Sequence, residues 1–268
     1  MTLKDNVAII TGAASGIGKA TSLVFAREGA KVLCADINAE GAEATARQIA
    51  DTGGEAASFE VDVAEEPQVQ AMIADAVSRW GRLDTIYNNA GIGTGGPVTQ
   101  TPVEDWDRMH AINLRGVFLG TKHAIPEMLK TGGGAIVNTA SDAGLMGTPM
   151  LSAYCATKGG VIMFTKATAV EWAAMGVRIN CVCPGVIRTP ILDPMLEMAK
   201  AAGATPEQVW ERIAKTHPIG RVGEASEVAE AVAFLASDRA SFITGVALTV
   251  DGGLAGGFAP RESAFGDE

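Results

Sequence analysis

The chain has 268 residues, of which 47% are hydrophobic, and a formal net charge of −10. This length suits one large domain with an ample core, and the acidic balance predicts a soluble protein while arguing against a basic nucleic-acid binder. No apolar run approaches the roughly 20 residues that cross a membrane.

In chain order, Met1 to Asn6 leads straight into Val7-Ala8-Ile9-Ile10. That leaves no room for a signal peptide. The run is short, apolar and β-branched, as expected of a strand buried on both faces. Thr11-Gly12-Ala13-Ala14-Ser15-Gly16-Ile17-Gly18 follows, and then an amphipathic segment over residues 19–28 that stops at Gly29. Glycine there is a common helix C-terminal signal. Strand, glycine turn and helix are the context in which such glycines hold a nucleotide. Gly12 allows the tight turn, Gly16 lets a pyrophosphate approach the backbone, and Gly18 lets helix and sheet pack closely. Free N–H groups at the helix start, from Ser15 to Ile17, are then available to phosphate. The spacing is G-x-x-x-G-x-G rather than G-x-G-x-x-G, and a plain turn remains open on this feature alone.

Residues 31–35 predict a second strand that ends at Asp36, followed by Ile37. An acid at this strand end can accept hydrogen bonds from both hydroxyls of an adenosine ribose. It would also repel a 2′-phosphate, at a cost of several kcal/mol. Ser15 occupies the turn position before Gly16, where a basic residue would suit that phosphate. The sequence therefore favours NAD over NADP. A helix cap for the segment beginning near Asn38 is the competing role for Asp36.

Later strands are expected over residues 57–61, 83–87, 135–139, 178–182 and 247–250, and helices over 39–51, 67–80, 102–129, 151–175 and 225–237. Seven strands with interleaved helices predict an α/β fold, a doubly wound parallel sheet with helices on both faces. A single domain is expected over 1–253. Residues 189–223 break the rhythm with four prolines and two short helical patterns, 195–201 and 206–215. A long apolar excursion of this kind predicts a substrate-binding lid, with a surface pair of helices as the plainer alternative. The tail, 254–268, is left open between disorder and docking on a neighbouring subunit.

Four cysteines (Cys34, Cys155, Cys181, Cys183) make no ligand pattern with His110, His123 or His217, so no metal is expected. Cys181 and Cys183, two apart in one expected strand, are expected to point to opposite faces. Free buried thiols suit a reducing, cytoplasmic setting.

Tyr154 and Lys158, in Tyr154-Cys155-Ala156-Thr157-Lys158, are one helical turn apart and share a face. A phenol titrates near ~10. An ammonium beside it would favour the phenolate and bring it into range as an acid or base. Ordinary helix decoration uses the same spacing.

Taken together, these residues resemble the short-chain dehydrogenase/reductase family over about Leu3 to Gly253. The motifs are Thr11-Gly12-x-x-x-Gly16-Ile17-Gly18, Asp62-Val63, Asn88-Asn89-Ala90-Gly91, Asn113, Ser141, Tyr154-x-x-x-Lys158 and Pro184-Gly185. The resemblance implies a Rossmann domain and a reversible oxidation of a secondary alcohol to a ketone. It implies that Asp62 accepts from the adenine amino group and that Val63 touches the ring. Asn89, Ala90 and Gly91 would face the cofactor. Pro184, Gly185, Ile187 and Thr189 would hold the nicotinamide end. Ser141 would orient the substrate oxygen, Tyr154 would exchange its proton, and Lys158 would lower the phenol and bind the ribose. Asn113 would kink its helix and hold a water beside Lys158. Homotetramers or homodimers with packed long helices are implied as well.

Met146, Leu151 and Val186, with the apolar lid, suggest a compact hydrophobic substrate. The runner-up is a ketone or 3-oxoacyl reductase, for which Arg188, Arg212, Lys215 and Arg221 could form a basic rim. A nucleotide-binding sensor or scaffold without catalysis, and a methyltransferase on a similar fold, are the alternatives of other classes. His217 reads as a loop residue, because the Tyr–Lys pair already supplies the acid and base.

Overall fold

The computed structural model describes residues 1–257. Strands β1 (Val7–Thr11), β2 (Lys31–Asp36), β3 (Glu55–Glu60), β4 (Thr85–Asn88), β5 (Gly134–Thr139), β6 (Val177–Pro184) and β9 (Ala247–Val250) form one sheet. Its order is β3-β2-β1-β4-β5-β6-β9 and every pairing is parallel. Between β6 and β9 a two-stranded parallel ribbon joins β7 (Ile187–Arg188) to β8 (Gly223–Glu224). That ribbon was not expected; elements of two residues carry no periodicity to read.

Helices cover both faces, as parallel strands require. On one side α1 (Gly16–Arg27), α2 (Ala39–Asp51) and α9 (Ala225–Ala236) pack through Phe25, Val24, Ile49, Val228 and Val232 onto Ile10, Val32, Val137 and Val182. On the other, α3 (Glu66–Trp80) and the following long helix pack through Met72, Ile73, Leu119 and Met128 onto Ile9, Leu33, Ile86 and Ile136. Alternate residues of β1 thus feed opposite cores, the two-residue period of a strand buried on both sides.

The single helix expected over 102–129 is divided into α4 (Val103–His110), a π-turn (Ala111–Arg115) and α5 (Gly116–Leu129). Backbone angles stay right-handed helical through the junctions, so the axis is bulged rather than broken. Helix α6 (Ser152–Trp172) ends in a short 3₁₀ turn and Gly176, at φ +82°. The excursion after β7 contains α7 (Asp193–Ala201) and α8 (Pro206–Ala214), the latter opened by a Thr205–Gln208 capping box. The ribbon ties together the two ends of this excursion. The tail beyond Gly257 lies outside the described residues.

Candidate active site

Strand order reverses between β1 and β4, so their carboxyl ends splay and open a crevice where doubly wound sheets bind ligands. The glycine turn forms one wall. Gly12 adopts φ +71°, and a side chain there would meet Asn89 Nδ2 at 2.8 Å. A Cβ on Gly18 would collide with the Gly12 carbonyl oxygen. Ser15 is the extended residue before α1, and its side chain makes no cap bond, so the first N–H groups of the helix stay free of that partner. Thr189, after β7, reaches across to Gly16: its Cγ2 would stand 3.1 Å from a Cβ there. The turn and the Pro184–Thr189 segment therefore face each other.

Asp36 ends β2 beside the turn. One carboxylate oxygen accepts from Ala14 N and the other from Asn38 N, both at 2.9 Å. Asn38 itself caps α2 by accepting from Gly41 N at 3.0 Å, which removes the capping role once open for Asp36. Ile37 is 67% exposed beside it. Asp62 accepts from Ala64 N at 2.9 Å in a local turn, and Glu65 rather than Asp62 precedes α3. Val63 is buried against Gly116.

Asn89 bridges strands: its Nδ2 donates to Thr11 O at 3.0 Å, and its Oδ1 accepts from Thr139 Oγ1 at 3.2 Å. Beneath it, Asn88 donates to Asn138 at 2.9 Å, and Asn138 to Thr165 at 2.9 Å, a buried polar chain across two strands and α6. Asn113 is fully buried and grips the loop after β4. Its Oδ1 accepts from Ile92 N and its Nδ2 donates to Ile92 O, each at 2.8 Å. The π-turn supplies the room that aims this amide away from its own helix.

Tyr154 and Lys158 occupy the first two turns of α6, and Lys158 Nζ lies 5.6 Å from the Tyr154 ring centre. Lys158 is 3% exposed and donates to Thr139 O at 2.8 Å. A Cβ on Gly91 would sit 3.6 Å from Lys158 Nζ and 3.2 Å from Asn113 Oδ1, so Gly91, Asn113 and Lys158 meet at one point. Ser141 follows β5, and its hydroxyl acts on the Tyr154 phenol in the direction that favours the phenolate.

The electrostatics differ from expectation. Burial pushes the half-buried Tyr154 phenol up to about 12, and the Asp142 and Cys155 charges push the same way. Burial also lowers Lys158 to about 8. Lys158 therefore does not depress the phenol within the protein's own field: both groups lose hydration, which favours the neutral form of each.

Ile191 Cδ1 and Tyr154 Cε2 stand 3.8 and 3.9 Å from where a Gly93 side chain would begin, and Leu151 Cδ2 stands 3.3 Å from that point on Gly95. These residues enclose space beside the phenol. Met146 is 42% exposed on the neighbouring loop. Val186 instead lines a cavity of about 280 Å³ with Ile187, His217, Ile219 and Gly252. His217 is buried there: its ring accepts from Val186 N at 3.3 Å and meets Ile213 O at 3.0 Å, a role in holding the loop.

Two parts of the expected basic rim are spoken for. Arg221 binds both oxygens of Glu227 at 2.7 Å, and Arg188 stacks over Trp210 at 4.5 Å with Glu224 at 3.5 Å. Cys181 and Cys183 share a face and one apolar cluster, as residues two apart on a strand must, which corrects their placement on opposite faces. Among the described residues no group of three or more potential ligands is placed to hold a metal, and no helix is long and apolar enough to cross a membrane. Sequence reasoning missed the Thr139 carbonyl, invisible as a side chain, and Asp142, whose signal was an acid directly after the strand-end serine.

Comparison with known proteins agrees with this fold. A family model described as enoyl-(acyl carrier protein) reductase matches residues 12–255. Cyclohexanol dehydrogenase of an Acinetobacter species is 44% identical over 249 residues, covering 92% of this chain and 94% of that one. The 3-oxoacyl-[acyl-carrier-protein] reductase of Thermotoga maritima is 40% identical over 254 residues, covering 95% and 99%. The crystal structure of levodione reductase superposes with a TM-score of 0.91 at 38% identity, covering 96% of this chain and all of that one. With the family model matching most of the chain and these relatives 38–44% identical over nearly its whole length, the chain belongs to the short-chain dehydrogenase/reductase family, whose members here are alcohol and ketone oxidoreductases.

Proposed function

We propose that this oxidoreductase interconverts a secondary alcohol and a ketone with NAD, using Tyr154 as acid and base. The observation that carries the reading is the meeting of Gly91, Asn113 and buried Lys158 directly behind the Tyr154 ring, at the carboxyl edge of the sheet. The crevice fits a dinucleotide: a side chain at Gly12 or Gly18 would fill the turn, and Asp36 is held beside it by two backbone N–H groups. Gly12, Ser15, Gly16, Ile17 and Gly18 would take the pyrophosphate, and Asp36 with Ile37 the adenosine ribose. Asp62, Val63, Asn89, Ala90 and Gly91 would line the adenine and inner ribose. Pro184, Gly185, Ile187 and Thr189 would hold the nicotinamide end.

The bound nicotinamide supplies hydride transfer and, when oxidised, a positive charge. The residues supply the rest. Ser141 holds the substrate oxygen. Tyr154 Oη takes the hydroxyl proton in oxidation or returns it in reduction. Lys158 would hydrogen-bond the inner ribose and carry the proton onward toward Asn113. A positive charge beside the phenol is what brings its raised ionisation back into range. Met146, Leu151 and Ile191 favour a compact apolar substrate. The pairing of Arg188 and Arg221 with acids argues against a basic rim for a carrier-bound one.

Cytoplasmic residence and self-association as a dimer or tetramer belong to the same proposal. The exposed Phe118 of α5, packed edge-on against Phe164 of α6 with exposed Met163 beside it, offers an apolar face for that association. The reading is tested with Tyr154→Phe: turnover of cyclohexanol with NAD should fall by roughly 10²–10⁴-fold, while NADH still binds by fluorescence titration. Near-normal turnover in that variant defeats it.

A further inference from the structure

Gly91, Gly93 and Gly95 alternate in the loop after β4. A Cβ on Gly91 would stand 3.2 Å from Asn113 Oδ1, and one on Gly95 would stand 3.3 Å from both the Met150 carbonyl oxygen and Leu151 Cδ2, so each of these glycines avoids a tight contact. Gly93 differs. Its Cβ would have Ile191 Cδ1, Ile191 Cγ1 and Tyr154 Cε2 as nearest neighbours, at 3.8, 3.9 and 3.9 Å, which is ordinary van der Waals contact. Gly93 does not take a left-handed backbone, so neither conformation nor collision demands glycine there. What a longer side chain would take up is the space between the phenol and Ile191.

The loop is pinned on both sides of Gly93. Asn113 holds Ile92 N and Ile92 O, each at 2.8 Å, and Gly96 N donates to Met150 O at 2.7 Å. Thr94 Oγ1 also reaches Met109 Sδ at 3.5 Å. The backbone therefore resists retreating from an added side chain, which is directed into the crevice instead. It would lie beside Cε2, the ring carbon next to the one that carries the Tyr154 hydroxyl. Ile191, on the facing wall, is 46% exposed and presents apolar surface for a bound apolar group to cover.

Resting on the reading of Tyr154 as acid and base, we propose that Gly93 is a specificity-determining residue: the side chain it lacks leaves room between Tyr154 and Ile191 for a bulky substituent on the carbinol carbon, so the site prefers cyclic or branched secondary alcohols and their ketones to the smallest ones. A hydroxyl within reach of Tyr154 Oη brings its carbinol carbon close to the phenol, and the groups on that carbon fill the neighbouring volume. A side chain grown into that volume competes with them by overpacking.

The test compares kcat/KM for cyclohexanol and for 2-propanol, each with saturating NAD, in the full chain. Wild type should favour cyclohexanol. Gly93→Ala should lower the cyclohexanol to 2-propanol ratio by about 10-fold and Gly93→Val by about 100-fold, the scale on which hydrophobic pockets sort substrates by size. NADH binding, followed by fluorescence titration, should be unchanged in both. Ile191→Ala in the Gly93→Val chain should restore part of the ratio, because it removes the facing bulk. Gly95→Ala should lower both substrates alike. Folding is checked by circular dichroism; if Gly93→Val does not fold, Gly93→Ala, whose Cβ makes only ordinary contacts, carries the comparison. A wild type that prefers 2-propanol or oxidises neither alcohol overturns the proposal. So does an unmoved ratio in folded Gly93→Ala, or an equal shift from Gly95→Ala. Tyr154→Phe keeps the two readings apart: retained turnover there defeats the acid–base role while a Gly93-dependent ratio stands, and lost turnover there with an unmoved ratio at Gly93 defeats the size limit alone.

Discussion

Lys158 Nζ donates to the Thr139 carbonyl at 2.8 Å while lying 5.6 Å from the centre of the Tyr154 ring. The last residue of β5 therefore anchors the ammonium that α6 delivers to the crevice. This tie between strand and helix sets where the charge sits, and burial sets how firmly it is held.

Because Tyr154 is pushed up to about 12 and Lys158 down to about 8, the phenol needs a further positive charge to ionise near neutrality. Titrating the protein with NAD at fixed mildly alkaline pH should produce tyrosinate absorbance, and titrating with NADH should produce less, since only the oxidised ring is positive. Tyr154→Phe should abolish the difference. An equal signal from both cofactors would show that cofactor charge does not govern this phenol.

Lys158 is costly to the fold. Its folded-state value, about 8, lies below the unfolded value near 10.4. Between those values the unfolded chain binds the extra proton, so stability rises with pH across that window. Tyr154 acts oppositely: above about 10 the folded state keeps its proton longer, and stability falls toward about 12. Lys158→Met should therefore unfold a few degrees higher than wild type at pH 7, a gain of about 1–2 kcal/mol after the lost hydrogen bond. It should lose the stability rise above pH 8 and nearly all turnover. Thermal melts across pH check each part.

Asp36 has both oxygens fixed by backbone N–H groups, so its charge is held in a set direction at the end of β2. Asp36→Asn keeps the shape and removes the charge. The ratio of kcat/KM for NADP to that for NAD should rise by roughly 10–100-fold, the equivalent of about 1.4–2.8 kcal/mol. An unchanged ratio would remove Asp36 from cofactor choice.

Asn113 satisfies both the N–H and the carbonyl of Ile92 from a fully buried position. Asn113→Ala strands both groups and should cost about 2–4 kcal/mol by urea denaturation. Asn113→Asp keeps the acceptor but not the donor, and should fall between. Both should raise the KM for NAD, because the Gly91–Ile92 segment loosens. A destabilised variant with unchanged cofactor KM would confine Asn113 to a structural role.

Much of this molecule is written in local patterns. The β-branched runs at Val7–Ile10 and Lys31–Ala35, the glycines after the first, and the turn of helix from Tyr154 to Lys158 all appear where their spacing predicts. Strand ends were less legible: β3 begins at Glu55 rather than 57, and β6 runs on to Pro184, because pairing with neighbours decides where a ladder stops. The π-turn at Asn113 was read as a kink, and its geometry depends on Ile92, 21 residues away.

The order of residue types along the chain was enough for the alternating α/β plan and the glycine turn, since each rests on contacts within a few residues, while the expectation of serine, tyrosine and lysine at one crevice came from the family resemblance. Only the tertiary structure decided that Lys158 is drawn to the Thr139 carbonyl, that Ser141 donates to Asp142, and that Arg188 and Arg221 are paired with Glu224 and Glu227. Ionisation and hydrogen-bond direction depend on burial and on partners brought together from distant strands, and neither quantity exists until the sheet has assembled.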